Sequence, residues 1–242
     1  MTTRIPLAGA LVAVALLTIP VKASTLTVYS NAPTDETQPR AALNDSAPGF
    51  GSSSWESPAT GKSNVYFTPD QLFGHSIAID DLADISFYTK RLNSNINDWF
   101  LVIYTTGTTH GWYGERLVAE TDTSSSFAGS QGVWTPYSLS GTGGLEFYDG
   151  TKSGSNPLYS LADLQNSSFG TDGIEYISLQ TASGVAGVMD SELDGLSVRI
   201  KNGPSIGGTT ATVNFEAVPE PSALALLGVP MLFLAACLRR RR

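Results

Sequence analysis

The sequence predicts an all-β protein, an antiparallel β-sandwich of jelly-roll type, set between an N-terminal signal peptide and a single C-terminal hydrophobic helix. Three observations lead there. Runs of β-branched and aromatic residues recur at roughly 10- to 20-residue intervals between clusters of Gly, Ser, Asn and Pro. Apart from a short stretch at Leu158–Leu164, nothing sustains a 3.6-residue period. The runs alternate apolar and polar residues, as half-buried antiparallel strands do. An up-and-down barrel is the lesser option.

The elements follow in chain order. TLTVYS (Thr25–Ser30) opens the body, with Asn64–Thr68 and His75–Asp80 next. In DISFYT (Asp84–Thr89), Ile85 and Phe87 share one face with Thr89, and Ser86 and Tyr88 share the other. WFLVIYT (Trp99–Thr105) lacks clean alternation, which predicts a central strand covered on both faces. Arg116–Thr121, Val133–Leu139, Leu145–Tyr148 and Ile174–Gln180 continue the series. Leu196–Lys201 and Thr210–Glu216 close it, with Val213 and Phe215 on one face. Gly49–Ser63, Ser124–Ser130 and Ser140–Gly144 read as loops, and Gly203–Gly208 as the turn between the last two strands.

Charge divides the chain into three. The 14 Lys+Arg and 22 Asp+Glu give −8 overall. Residues 1–23 hold Arg4 and Lys22, and residues 217–242 hold four Arg and Glu220, so both ends are basic. Residues 24–216 hold 8 basic and 21 acidic residues, a net −13. An acidic body repels phosphate, which argues against a nucleic-acid partner. Charged residues are only 15% of the chain, too few for charge-driven disorder.

The N-terminal end reads as a secretory signal. Arg4 supplies the basic region, Leu7–Ile19 is a 13-residue apolar run, and Val21 and Ala23 place small or aliphatic side chains before a cleavage site after Ala23. Signal peptidase is the partner this implies. At the other end Ala223–Leu238 is 16 residues without charge, rising about 24 Å as a helix against a hydrocarbon core of about 30 Å. Arg239–Arg242 would lie on the cytoplasmic side.

Val218-Pro219-Glu220-Pro221-Ser222, the short hydrophobic segment and the terminal Arg239, Arg240, Arg241 and Arg242 together resemble the PEP-CTERM sorting signal of Gram-negative bacteria. The resemblance covers residues 217–242 and leaves 1–23 as signal peptide and 24–216 as the β-sandwich domain. It implies recognition by an exosortase, retention in the inner membrane by the helix before processing, and a final place at the cell surface or in the extracellular matrix. Such proteins are associated with exopolysaccharide, biofilm and floc formation. The body also resembles the β-sandwich domains that commonly precede this tail, and Leu193–Ile200 (LDGLSVRI) resembles the closing strand of carbohydrate-binding-like jelly rolls.

Within the body the chemistry is sparse. His75 and His110 are the two histidines, and the single Cys, Cys237, lies in the tail. No Gly-x-Ser-x-Gly elbow occurs. Gly61-Lys62-Ser63 fails as a phosphate loop because Glu56 stands where its first Gly is needed, and Gly141–Gly144 is followed by Glu146 instead of the third dinucleotide-binding Gly. Asp190, Glu192 and Asp194, followed by Gly195, partly match a calcium loop, although the twelfth position is Lys201 instead of Glu. Asp80, Asp81 and Asp84 form a second acidic cluster. Calcium is thus the one cofactor the sequence leaves open. Trp112 and Tyr113, in the Gly-bounded loop Thr109–Gly114, are candidates for stacking on a sugar ring. The expectation is a non-enzymatic exported surface or matrix protein that binds exopolysaccharide or contributes to biofilm or floc. A secreted glycan-active hydrolase is the alternative, with no particular carboxylate pair singled out.

Overall fold

A computed structural model describes residues 24–29, 40–57, 63–92, 98–107, 116–121, 130–140, 144–149, 157–181, 191–201 and 208–216. The signal peptide, the sorting segment, Trp112, Tyr113 and Asp190 lie outside the described residues. Among the described residues no helix is long and apolar enough to cross a membrane; Ala223–Leu238 is not among them.

The body is all-β. Its strands are β1 (Ser24–Tyr29), β2 (Arg40–Leu43), β3 (Ser53–Glu56), β4 (Asn64–Phe67), β5 (Leu82–Arg91), β6 (Phe100–Thr105), β7 (Arg116–Ala119), β8 (Thr135–Ser138), β9 (Tyr148–Asp149), β10 (Ile174–Gln180), β11 (Ser191–Ile200) and β12 (Thr209–Glu216). They form two sheets. A seven-stranded sheet runs β1-β12-β11-β3-β2, and β5 pairs with both β11 and β8. A five-stranded sheet runs β4-β10-β6-β7-β9. Every pairing is antiparallel except β1 with β12. The chain changes sheet between β3 and β4, β4 and β5, β5 and β6, β7 and β8, β8 and β9, and β10 and β11.

One shared core joins the sheets face to face. Ile85 and Phe87 of β5 point inward with no exposed surface, as their alternation predicts. Leu101, Ile103, Ile177 and Leu179 meet them from the five-stranded sheet. The ring of Phe215 on β12 lies 5.0 Å from Trp55 on β3 and 6.2 Å from Phe67 on β4, bridging the two layers. Tilted aromatic pairs of this kind add roughly 0.5–1.5 kcal/mol each beyond area burial.

β11 changes parity along its length. Leu193 points into the core, and so do Leu196, Val198 and Ile200. A bulge between Asp194 and Ser197 absorbs the extra residue. Gly195 sits there at φ +63°, with the Phe50 ring where a Cβ would project.

Several segments depart from the sequence reading. Gly49–Ser63 holds β3, whose Ser53 and Ser54 are buried and therefore do not mark a loop. Before it, β2 adds a strand the sequence reading lacks. His75–Asp80 is not a strand: Ala78 makes one isolated bridge to Gly173, and Ile79–Asp81 forms a 3-10 turn capped by the Asp81 carboxylate on the Ala78 N–H. Helix α1 (Pro69–Phe73) carries a capping box between Thr68 and Gln71 and ends at Gly74 in the left-handed region. Helix α2 (Leu161–Gln165), capped by Ser160 and Asp163, accounts for the periodic stretch at Leu158–Leu164.

Candidate functional site

Period-2 alternation in the five-stranded sheet sends half of each strand outward. Asn64 and Tyr66 face out from β4, Tyr176, Ser178 and Gln180 from β10, and Phe100, Val102 and Tyr104 from β6, because their neighbours Val65, Phe67, Ile177, Leu179, Leu101 and Ile103 fill the core. The register places Tyr66 beside Ser178, Tyr176 beside Tyr104, and Asn64 beside Gln180.

Three tyrosines from three strands therefore converge. The Tyr66 ring centre lies 6.0 Å from that of Tyr104 and 5.9 Å from that of Tyr176, and Tyr104 and Tyr176 are 6.3 Å apart. Tyr176 stands edge-on to both partners, while Tyr66 and Tyr104 are tilted 46° to each other. All three are half-buried, so ring surface remains open. Gln180 fixes the group from below: its Nε2 donates to the Tyr104 hydroxyl at 2.9 Å and to Ser178 Oγ at 3.0 Å. Beside Gln180, Asn64 is fully buried, and among the described residues neither its amide nitrogen nor its amide oxygen has a hydrogen-bond partner. Toward β7 the face becomes apolar, where Val102, Val118 and Tyr148 pack with Phe100 and Tyr104. At that margin the Tyr148 hydroxyl donates to Glu120 at 2.6 Å.

Sequence reasoning missed this site. Its tyrosines come from strands far apart in the chain, and no local motif connects them. The available signal was the outward set in EYISLQ, where Tyr176, Ser178 and Gln180 are spaced two apart on a strand whose other face is apolar. Trp99 and Trp134 fall elsewhere. Trp99 is fully buried and donates its indole N–H to the Ser191 carbonyl at 2.9 Å. Trp134 directly precedes β8, a strand of the opposite sheet.

That opposite outer face carries a charged cluster. Lys90 Nζ bonds Asp45 and pairs with Glu192 at 2.8 Å, and its charge lies 5.5 Å from the centre of the Trp134 ring. Trp134 in turn donates to Asp45 Oδ1 at 2.9 Å. Burial raises Glu192 above the usual carboxylate range despite the Lys90 bond and charge. Burial acts the same way on Asp45, but hydrogen bonds from Lys90 and Trp134 and the Lys90 charge outweigh it and hold Asp45 low.

The calcium-loop expectation meets a different geometry. Glu192 and Asp194 lie in the continuous strand Ser191–Ile200, not in a loop, so their two-residue spacing is strand alternation. Glu192 is paired with Lys90. Asp194 is fully buried and accepts from the backbone N–H groups of Ala47 at 3.0 Å, Gly195 at 2.8 Å and Phe215 at 3.3 Å. Of the second cluster, Asp81 caps the 3-10 turn, and Asp84 accepts from Ser138 Oγ and the Ser140 N–H. Among the described residues no three His, Cys, Asp or Glu side chains are grouped to hold a metal ion.

Comparison of the chain with protein-family models, with curated proteins and with solved structures returns no match.

Proposed function

We propose that this chain is an exported, non-catalytic polysaccharide-binding protein of the cell surface or extracellular matrix. Signal peptidase cleaves after Ala23, the hydrophobic segment 223–238 holds the chain in the inner membrane, and an exosortase acts at Val218–Ser222. The jelly-roll-like β-sandwich is the cargo, and exopolysaccharide is its ligand. The observation that carries the binding function is the triangle of Tyr66, Tyr104 and Tyr176, flanked by Asn64, Ser178 and Gln180 and by Arg116, the cross-strand neighbour of Tyr104. A sugar ring presents C–H groups on one face, which settle on the electron-rich face of an aromatic ring, while its hydroxyls need amide and hydroxyl partners at the edge.

A glycan hydrolase would need two carboxylates facing each other across an open bond. Asp45 and Glu192 flank the same Lys90 ammonium, with proton affinities displaced in opposite directions. The Lys90 ammonium pairs with both of them, so the pair reads as an ion triad that fastens a loop to the sheet.

Two measurements test the proposal. Glu220→Ala in the producing cell is expected to leave the protein in the inner-membrane fraction, and normal release would overturn the sorting function. The purified full chain is expected to bind exopolysaccharide without depolymerising it, and release of reducing ends would favour the hydrolase.

A further inference from the structure

We infer that the tyrosine face selects an uncharged glycan, and that the buried Asn64 amide reads its hydroxyls. This rests on the polysaccharide-binding function proposed above and narrows its ligand.

The ring spacing decides where a sugar goes. A pyranose stacked between two rings would need about 3.5–4 Å on each side, so ring planes about 7–8 Å apart. The tyrosine centres are only 5.9–6.3 Å apart and the rings touch one another. The sugar must therefore lie over the cluster, on the half-exposed faces of Tyr66 and Tyr104, with Tyr176 wedged edge-on between them.

Three features favour a neutral ring over an anionic one, against the opposing charge of Arg116, which the register places beside Tyr104. The π faces of the tyrosines carry negative potential, which attracts C–H groups and repels carboxylates. The domain, residues 24–216, holds 21 acidic against 8 basic residues, which discourages a polyanion over the whole surface. The third feature is Asn64. Its side chain brings two N–H donors and one acceptor oxygen, all without partners among the described residues. A carboxylate or sulfate could accept from the nitrogen but would leave the oxygen unmatched. Neighbouring sugar hydroxyls each donate and accept, so a pair of them satisfies both ends of the amide. Asn64 has no exposed surface, so a hydroxyl reaches it only by displacing what lies over it. Gln180, its cross-strand neighbour, already holds Tyr104, which couples the hydrogen-bonding group to the stacking group.

Affinity electrophoresis of the purified full chain tests this. The gels contain either neutral polymers (a mixed-linkage β-glucan, a galactomannan, a dextran) or anionic ones (alginate, polygalacturonate). Retardation is expected with at least one neutral polymer and with neither anionic one. Tyr66→Ala and Tyr176→Ala should each weaken binding about tenfold, while Tyr66→Phe, which keeps the ring, should stay within about twofold. Asn64→Ala should weaken binding to the preferred polymer and narrow its advantage over the other neutral polymers. Trp134→Ala, on the far sheet, should leave binding unchanged. Binding to alginate that Tyr66→Ala abolishes would overturn the neutral assignment and leave polysaccharide binding standing. Neutral binding indifferent to Tyr66→Ala and Tyr176→Ala would overturn the site. Failure to bind any polymer would overturn both.

Discussion

The Asp98 carboxylate accepts the hydroxyl of Ser191, 93 residues further along the chain, in a part of the core with almost no solvent. Thr89 Oγ1 and the Trp99 N–H complete its partners. Because Ser191 begins β11 and Trp99 leads into β6, this one carboxylate ties the two sheets together at one end. Burial pushes its pKa from 3.8 up to about 6, against the opposing hydrogen bonds and the Arg91 charge.

That shift makes a pH prediction. A carboxyl with a raised folded pKa takes up its proton in the folded state first, so folding binds extra protons between about pH 4 and pH 6. Its contribution is most favourable below the unfolded pKa and is lost as pH rises through about 6. Asp98→Asn keeps an acceptor for Trp99 and removes the charge. The variant should gain on the order of 2–3 kcal/mol relative to wild type between pH 4.5 and 7.5. Urea midpoints at the two pH values measure it. A difference that does not change with pH would show that the ionised carboxylate is not the cost.

Lys90 makes the converse case. Lys90→Met leaves Asp45 and Glu192 close together without their shared cation. Removing one member of a buried group costs about 3–5 kcal/mol, but the Asp45 side chain is 37% exposed, so about 2 kcal/mol is the expected loss at pH 7. The loss should shrink at pH 4.5, because Glu192, with its raised pKa, then takes up a proton and the repulsion falls. Chemical denaturation at both pH values checks it, and an equal loss at both would assign the effect to packing.

The fold class was legible because burial leaves a period-2 imprint on each strand separately. Ile85 and Phe87, or Val213 and Phe215, announce their inward face without help from distant residues. The Trp99–Thr105 run was legible for a related reason. β6 is the middle strand of its sheet, and Val102 on its outer side is as buried as Leu101 and Ile103 on the inner one. β3 was not legible, since its serines imitate a loop and are buried by partners far away in sequence. Nor could sequence separate a calcium loop from a strand at Glu192 and Asp194, because both place acids two residues apart. The tyrosine cluster depends on register between β4, β10 and β6, which is set by the pairing and not by any one segment.

Gly195 offers a steric test of the bulge. An added Cβ would lie 2.6 Å from the Phe50 ring, at a φ of +63° that side chains rarely adopt. Gly195→Ala should cost roughly 2–3 kcal/mol, part from strain and part from the clash. Phe50→Ala in the same chain removes the clash and leaves the strain, so the two changes should combine to less than their sum. A double-mutant cycle by thermal or urea unfolding measures the coupling. Strict additivity would show that the ring moves aside without cost.

Asp194 decides between a structural carboxylate and a metal ligand. Its oxygens accept N–H groups from Ala47, Gly195 and Phe215, so the carboxylate joins the segment before β3, the bulge of β11 and the end of β12. Asp194→Ala leaves three N–H groups to find other partners. At about 1–3 kcal/mol for each donor left unsatisfied, with partial relief by water, the loss should reach about 3–5 kcal/mol. Asp194→Asn keeps one acceptor oxygen and should lose less. A bound cation would behave differently. If Asp194 and Glu192 held calcium, millimolar Ca²⁺ would raise the melting temperature of the wild type and a chelator would lower it. The amide-bound geometry predicts no change with either. Differential scanning fluorimetry of the wild type and both variants, with Ca²⁺ and with chelator, distinguishes the two. A calcium-dependent rise present in the wild type and absent in Asp194→Asn would return Asp194 to the role of a ligand.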